Sequence, residues 1–146
     1  MPVYNLLFEK KKKSYKRSTP QHVAENILNR EFTAEKPNEK WVTDVTELKY
    51  GSSKKAYLSA ILDLYDGSIV SYVLGHSNNN HLVFKTLDQA TALLKGEHPL
   101  IHSDRGFQYT SHGFKRRIDQ AGMTQSMSRV GRCIDNGPME SFWGTL

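Results

Sequence analysis

Between residues 41 and 75 apolar and polar side chains alternate, and the alternation falls into three segments, Trp41–Lys49, Ala56–Leu64 and Ser68–Gly75. Period-two patterning predicts strands, because successive side chains of an extended chain leave opposite faces. In the second segment Ala56, Leu58, Ala60, Leu62 and Leu64 share one face, and Tyr57, Ser59, Ile61 and Asp63 share the other. Gly51-Ser52-Ser53 joins the first two segments. Asp66-Gly67, two residues that tolerate positive φ, turns the second into the third. Three consecutive antiparallel strands are expected.

The period then changes. After Asn78-Asn79-Asn80, which can cap a helix, Val83, Leu87, Ala90 and Leu94 recur at helical spacing and predict about four turns ending at Gly96. The run Pro99 to Ser103 is apolar, too short for a helix, and suits a buried central strand that ends on Asp104. Phe114, Ile118 and Ala121 mark a second helix stopped by Gly122, and Met123 to Ser128 alternates weakly as a fifth strand. Arg129 to Asp135 has no periodicity and reads as a loop. Asn136-Gly137-Pro138 opens a last helix with Met139, Trp143 and Leu146 on one face. The order βββαβαβα implies an α/β fold, a five-stranded mixed sheet flanked by helices.

Residues 1–40 differ in character from the rest of the chain. Lys10 to Lys13 form a run, Lys16 and Arg17 succeed it, and apolar positions are sparse until Val23, Ile27 and Leu28. This segment is expected to be a basic tail or linker with one short helix starting at Ser18-Thr19-Pro20, where a hydroxyl can cap and proline is pre-set for a first turn. The core is expected to occupy residues 41–146.

Composition narrows the classes of function. A chain of 146 residues, 38% of them hydrophobic, can bury one core but not two. Its net charge of +5 points toward a polyanionic partner. The single cysteine, Cys133, excludes a disulfide framework or a thiolate-rich zinc site within one chain. The short apolar stretch of MPVYNLLFEKKKK precedes its charges, the reverse of a secretory signal, and no later window approaches a membrane span. A soluble cytoplasmic protein without membrane contact is expected.

Chemistry enters with three carboxylates. Asp44 interrupts the strand-like run Trp41-Val42-Thr43-Asp44-Val45-Thr46-Glu47-Leu48, where aspartate is disfavoured and costly to bury. Asp104 ends the fourth strand, a place where ligand groups are often presented. Glu140 stands in the first turn of the last helix. A mixed sheet can bring these three places to one edge, and oxygen ligands of this kind suit two hard cations, Mg²⁺ or Mn²⁺, which drive in-line displacement at phosphorus.

The blocks Trp-Val-Thr-Asp-Val-Thr-Glu-Leu at 41–48, Ile-His-Ser-Asp-Arg-Gly-Phe-Gln-Tyr at 101–109 and Asp-Asn-Gly-Pro-Met-Glu-Ser-Phe-Trp at 135–143 resemble those of bacterial insertion-sequence transposases with a retroviral-integrase-like core. Thirty-five residues separate Asp104 from Glu140, the spacing typical of that family, and Tyr-Leu-Ser-Ala-Ile-Leu-Asp-Leu-Tyr at 57–65 extends the match. The resemblance implies an RNase H-like fold, with Asp44, Asp104 and Glu140 as catalytic metal ligands. It also implies divalent-metal dependence, cleavage at transposon ends, and attack of the freed 3′-hydroxyl on a second phosphodiester. DNA is then the expected partner, with a homo-oligomer forming on it near the bacterial nucleoid. Such transposases carry a helical DNA-binding region before the core, where this chain has its basic tail. The last helix is expected to be truncated, since Leu146 stands six residues after Glu140.

Further expectations attach to other positions. Lys11, Lys12 and Lys13 in the tail, Gln108, and Arg129 and Arg132 around Gly131 are candidate DNA contacts, with a solvated tail or loop as the alternative. Tyr109 is a packing residue or a DNA contact. Asp63 is read as a hairpin residue and Asp135 as a helix cap. His102 is weighed as a core histidine against a neighbour of the site, and Cys133 as inert. Two further functions stay open: a catalytically inactive DNA-binding fragment of a transposase, and a related nuclease without strand transfer.

Overall fold

The structure, a computed structural model, describes residues 21–129 and 136–146. Its elements keep the expected order: β1 (Lys40–Tyr50), β2 (Lys54–Asp63), β3 (Ile69–Gly75), α1 (Asn80–Thr91), β4 (Leu100–Ser103), α2 (His112–Gln120), β5 (Thr124–Met127) and α3 (Gly137–Gly144). Gly67, at φ +74°, closes the β2–β3 turn, in which the Gly67 amide reaches the Asp63 carbonyl at 2.8 Å. The Asn79 carboxamide accepts from the Leu82 amide and starts α1, and the Ser111 hydroxyl accepts from the Phe114 amide and starts α2. No helix among the described residues is long and apolar enough to cross a membrane.

The five strands form one sheet in the order β3-β2-β1-β4-β5. β1 pairs antiparallel with β2 and parallel with β4, and β4 pairs parallel with β5. Each parallel step requires a crossover, which α1 and α2 supply. Neighbouring residues of β1 consequently serve two cores. Trp41 packs with Ile61, Val83, Leu87, Phe114 and Ile118 on the face that α1 and α2 cover, whereas Val42 packs with Leu28, Ala60, Leu62 and Met139 on the opposite face. Leu146, assigned to the apolar face of the last helix, is instead exposed.

The short helix expected ahead of the core is absent over residues 21–39, none of which is helical. The segment lies instead along the outer edge of β5. The Met127 amide donates to the Glu25 carbonyl at 3.0 Å, the Leu28 amide to the Ser126 hydroxyl at 2.9 Å and the His22 amide to the Thr110 carbonyl at 2.9 Å. An edge strand leaves main-chain groups unpaired, and satisfying them competes with helix formation in the neighbouring segment. Leu28 is buried while Val23 and Ile27 are half exposed, so their helical spacing does not form a stripe. The boundary drawn at residue 40 therefore cuts through packed structure. Leu28→Ala is expected to destabilise the chain by about 2–3 kcal/mol in urea unfolding, whereas a free linker would show no change.

Candidate active site

Asp44 lies in mid-β1, on the face that α3 covers. The parallel register that sets Val42 beside His102, continued by two residues, brings Asp104 level with Asp44 just past the end of β4. The two aspartates are sixty positions apart in the chain and are brought together by one strand pairing. Asp104 is exposed, and its Oδ1 accepts from the Gly106 amide at 2.7 Å. A side chain at Gly106 would crowd that carboxylate, because a Cβ there stands 2.9 Å from Asp104 Oδ1.

α3 brings the third acid. Pro138 lies in its first turn, and Met139, fully buried, anchors the helix on the sheet. Glu140 is exposed beside it, where the positive end of the helix dipole favours a carboxylate. Two hydrogen bonds tie the helix to β1. The Asn136 side-chain amide donates to the Thr43 carbonyl at 3.3 Å, and the Trp143 indole N–H donates to Asp44 Oδ2 at 3.1 Å.

The charges interact. The Asp44 carboxyl is pushed up to about 7, first by burial and then by the negative charge of Asp104, with a further upward contribution from Glu140. Hydrogen bonds from the Trp143 indole and the Val45 backbone oppose the rise. Tyr109 lies buried beneath the pair, and burial, followed by the charges of Asp44 and Asp104, raises its phenol well above the usual range. A hydrogen bond with the Thr43 side chain opposes that rise.

The donor chemistry fits a hard divalent cation: carboxylate oxygens only, with the charge of Asp104, and then that of Glu140, raising the proton affinity of Asp44. Convergence is only partial. Among the described residues no three acidic, histidine or cysteine side chains are gathered tightly enough to enclose one ion. Like charges repel, and the exposed Glu140 side chain is the one able to turn away.

The other candidates divide. Gln108 is only 4% exposed and its amide donates to Asn78, so it is not presented to a phosphate. Arg129 is exposed just past β5, while Lys11, Lys12, Lys13, Arg132, Cys133 and Asp135 lie outside the described residues. The N-cap position of α3 belongs to Asn136, whose side chain makes no capping bond. Asp63 acts in the hairpin region as expected, accepting from the Asn38 and Tyr65 amides. His102 is fully buried, with its ring nitrogens 2.8 and 3.1 Å from the hydroxyls of Ser126 and Ser128. Sequence reasoning missed Asn136 and Trp143 as site residues. The available signal was helical spacing, since Trp143 lies three residues beyond Glu140 and thus on an adjoining face.

Residues 34–133 match the integrase core domain family. The chain is 46% identical over 125 residues to a transposase-like protein of Haemophilus influenzae, spanning 86% of this chain and 57% of that one. It is 44% identical over 138 residues to the InsK protein of insertion sequence element IS150 in Escherichia coli K12, spanning 94% of this chain and 48% of that one. The chain thus spans about half the length of these relatives. Among solved structures it is similar to the HTLV-2 integrase catalytic core domain in complex with magnesium. The TM-score there is 0.60 at 25% identity, over 74% of this chain and 66% of that one. Strand order and likeness together bear out the expected RNase H-like fold.

The shift at Asp44 has a measurable consequence. In the folded chain Asp44 keeps its proton up to about pH 7, whereas unfolding returns it to its ordinary value of 3.8. Between those values the folded state holds the extra proton, so the stability contributed by this group falls as pH rises from 3.8 toward 7 and stays low above it. Asp44→Asn removes the charge and keeps an oxygen for Trp143. It is expected to exceed the wild type in stability by on the order of 2 kcal/mol at pH 8 and by much less at pH 4. Urea melts at the two pH values check this, and equal stability at pH 8 counts against charge strain at Asp44.

Proposed function

The chain belongs to the integrase core domain family, and on that footing we propose that it is the catalytic core of a bacterial insertion-sequence transposase, acting on DNA through Asp44, Asp104 and Glu140. The observation that carries this reading is electrostatic: the two acids whose charges act on Asp44 are Asp104 and Glu140, each from a different element. A buried carboxyl facing two others costs stability, and such a cost is expected at a functional site.

The reaction is a pair of displacements at phosphorus. Water attacks a phosphodiester at the transposon end, an O–P bond forms, the P–O3′ bond breaks, and the departing oxygen gains a proton as a 3′-hydroxyl. That hydroxyl then attacks a phosphodiester of the target, losing its proton to solvent as the target's own P–O3′ bond breaks and the departing oxygen takes up a proton as a new 3′-hydroxyl. The second step exchanges one phosphodiester for another and needs no external energy source. Mg²⁺ or Mn²⁺, as two ions, would neutralise the charge that develops on the phosphate oxygens. Asp44 and Asp104 would hold the cations from adjacent strands, and Glu140 would complete the set from α3. Half-burial of Asp44 keeps water from competing for it, and the Gly106 amide fixes the Asp104 carboxylate. DNA ends and target are the proposed partners, with a homo-oligomer assembled on them.

A second reading, a DNA-binding chain without catalysis, is favoured by the failure of any three candidate ligands among the described residues to gather round one point. Incubating the full chain with duplexes carrying the element's ends, in Mg²⁺ or Mn²⁺, separates the two. Nicked and joined products that fall roughly a hundredfold or more in Asp104→Asn, with DNA binding retained, support the transposase core. Binding without products favours the second reading, and nicked products without joined ones indicate a nuclease.

A further inference from the structure

We propose that Trp143 is a positioning residue, its indole N–H orienting the Asp44 carboxylate for a divalent cation while its helix ties Glu140 to the same strand; the inference rests on the function proposed above. The indole donates to Asp44 Oδ2 at 3.1 Å. A hydrogen bond to an ionised acceptor is about twice as strong as a neutral one, and a donor on one carboxylate oxygen sets the direction of the other.

The tie to Glu140 comes from the place of Trp143 in the helix. Trp143 is three residues beyond Glu140 on a helix of only eight residues, too short to be stable alone. The position of α3 is therefore set by what it touches. Asn136 donates to the Thr43 carbonyl at one end, Met139 is buried in the sheet, and Trp143 reaches Asp44 at the other end. Asn136 and Trp143 thus attach to consecutive residues of β1, and Glu140 lies between them in the chain. Any shift of the helix along β1 would break both bonds.

Packing alone does not require an indole at this position. The Trp143 ring sits 5.1 Å from that of Phe142 and joins the partly buried apolar groups around Val42 and Met139. A phenylalanine would serve that role and lacks the donor. The other tryptophan, Trp41, lies on the opposite face, and its indole donates to the Asn38 side chain at 3.2 Å, which makes it an internal control.

The test monitors the two indole N–H signals of the full ¹⁵N-labelled chain by NMR during Mg²⁺ titration, alongside Mn²⁺ affinity measured by calorimetry. The Trp143 signal is expected to move with Mg²⁺ while that of Trp41 stays within the noise. Trp143→Phe is expected to weaken Mn²⁺ binding by about tenfold or more, with a melting temperature close to that of the wild type. A Trp143 signal that shifts no more than that of Trp41 overturns the inference, and this measurement needs no variant to fold. Equal Mn²⁺ affinity in wild type and Trp143→Phe overturns the inference alone. A wild-type chain that takes up no divalent cation overturns the proposed function together with it.

Discussion

The parallel pairing of β1 with β4 is the constraint on which this fold and its site both depend. It joins segments that lie far apart in the chain, and it spans few residues, Lys40 to Val42 against Leu100 to His102. Those few contacts convert a local hairpin unit, β1-β2-β3, into a five-stranded sheet with two buried faces. They also set Asp104 level with Asp44. Local hairpins form readily, but a parallel pairing must first overcome the entropy of closing a long loop, so it succeeds only when the helix between packs well. The burial of Val83, Leu87 and Ala90 of α1 against Trp41 and Ile61 supplies that packing.

The site opposes this stability. Three carboxylates meet near one strand, and the most buried of them, Asp44, is driven toward its neutral form. Nothing in the packing of the sheet calls for an aspartate at this position, since the partner residue across β2 is Ala60 and the neighbours on that face are apolar. The arrangement is intelligible as a donor set for positive charge. Its incompleteness has the same origin, since like charges separate and Glu140 is on the one element held by side-chain contacts instead of a strand ladder.

The outer edges of the sheet are handled differently. At β5 the segment from His22 to Leu28 accepts from the Met127 amide, which a bare edge would expose, and donates to the Ser126 hydroxyl. At the other edge β3 leaves Ile69, Tyr72 and Leu74 exposed. The protected edge is the one next to β4, where a disturbance would reach Asp104 directly.

Much of this was legible in the residues. Period-two and helical spacing located all eight elements because burial on a sheet or helix face imposes that periodicity on the chain itself. Asp44 stood out by being costly in a strand, Asp104 by ending a short apolar run, and Glu140 by its place in a helical first turn. The failures were of a different kind. Val23, Ile27 and Leu28 carry helical spacing, yet the segment runs beside β5, bonded to it through the Glu25 carbonyl and the Leu28 amide. Gln108 lies in a motif suggestive of DNA contact, yet it is buried against Asn78. Trp143 read as an apolar ridge, and only the docking of α3 on β1 made its indole N–H a partner of Asp44. By itself, then, the sequence determined which segments are strands and helices and which acids are conspicuous, because those depend on short-range periodicity and local cost. The tertiary structure alone decided which edge captures the leading segment and which donors reach Asp44, because hydrogen bonds between residues about a hundred positions apart leave no periodic trace in the chain.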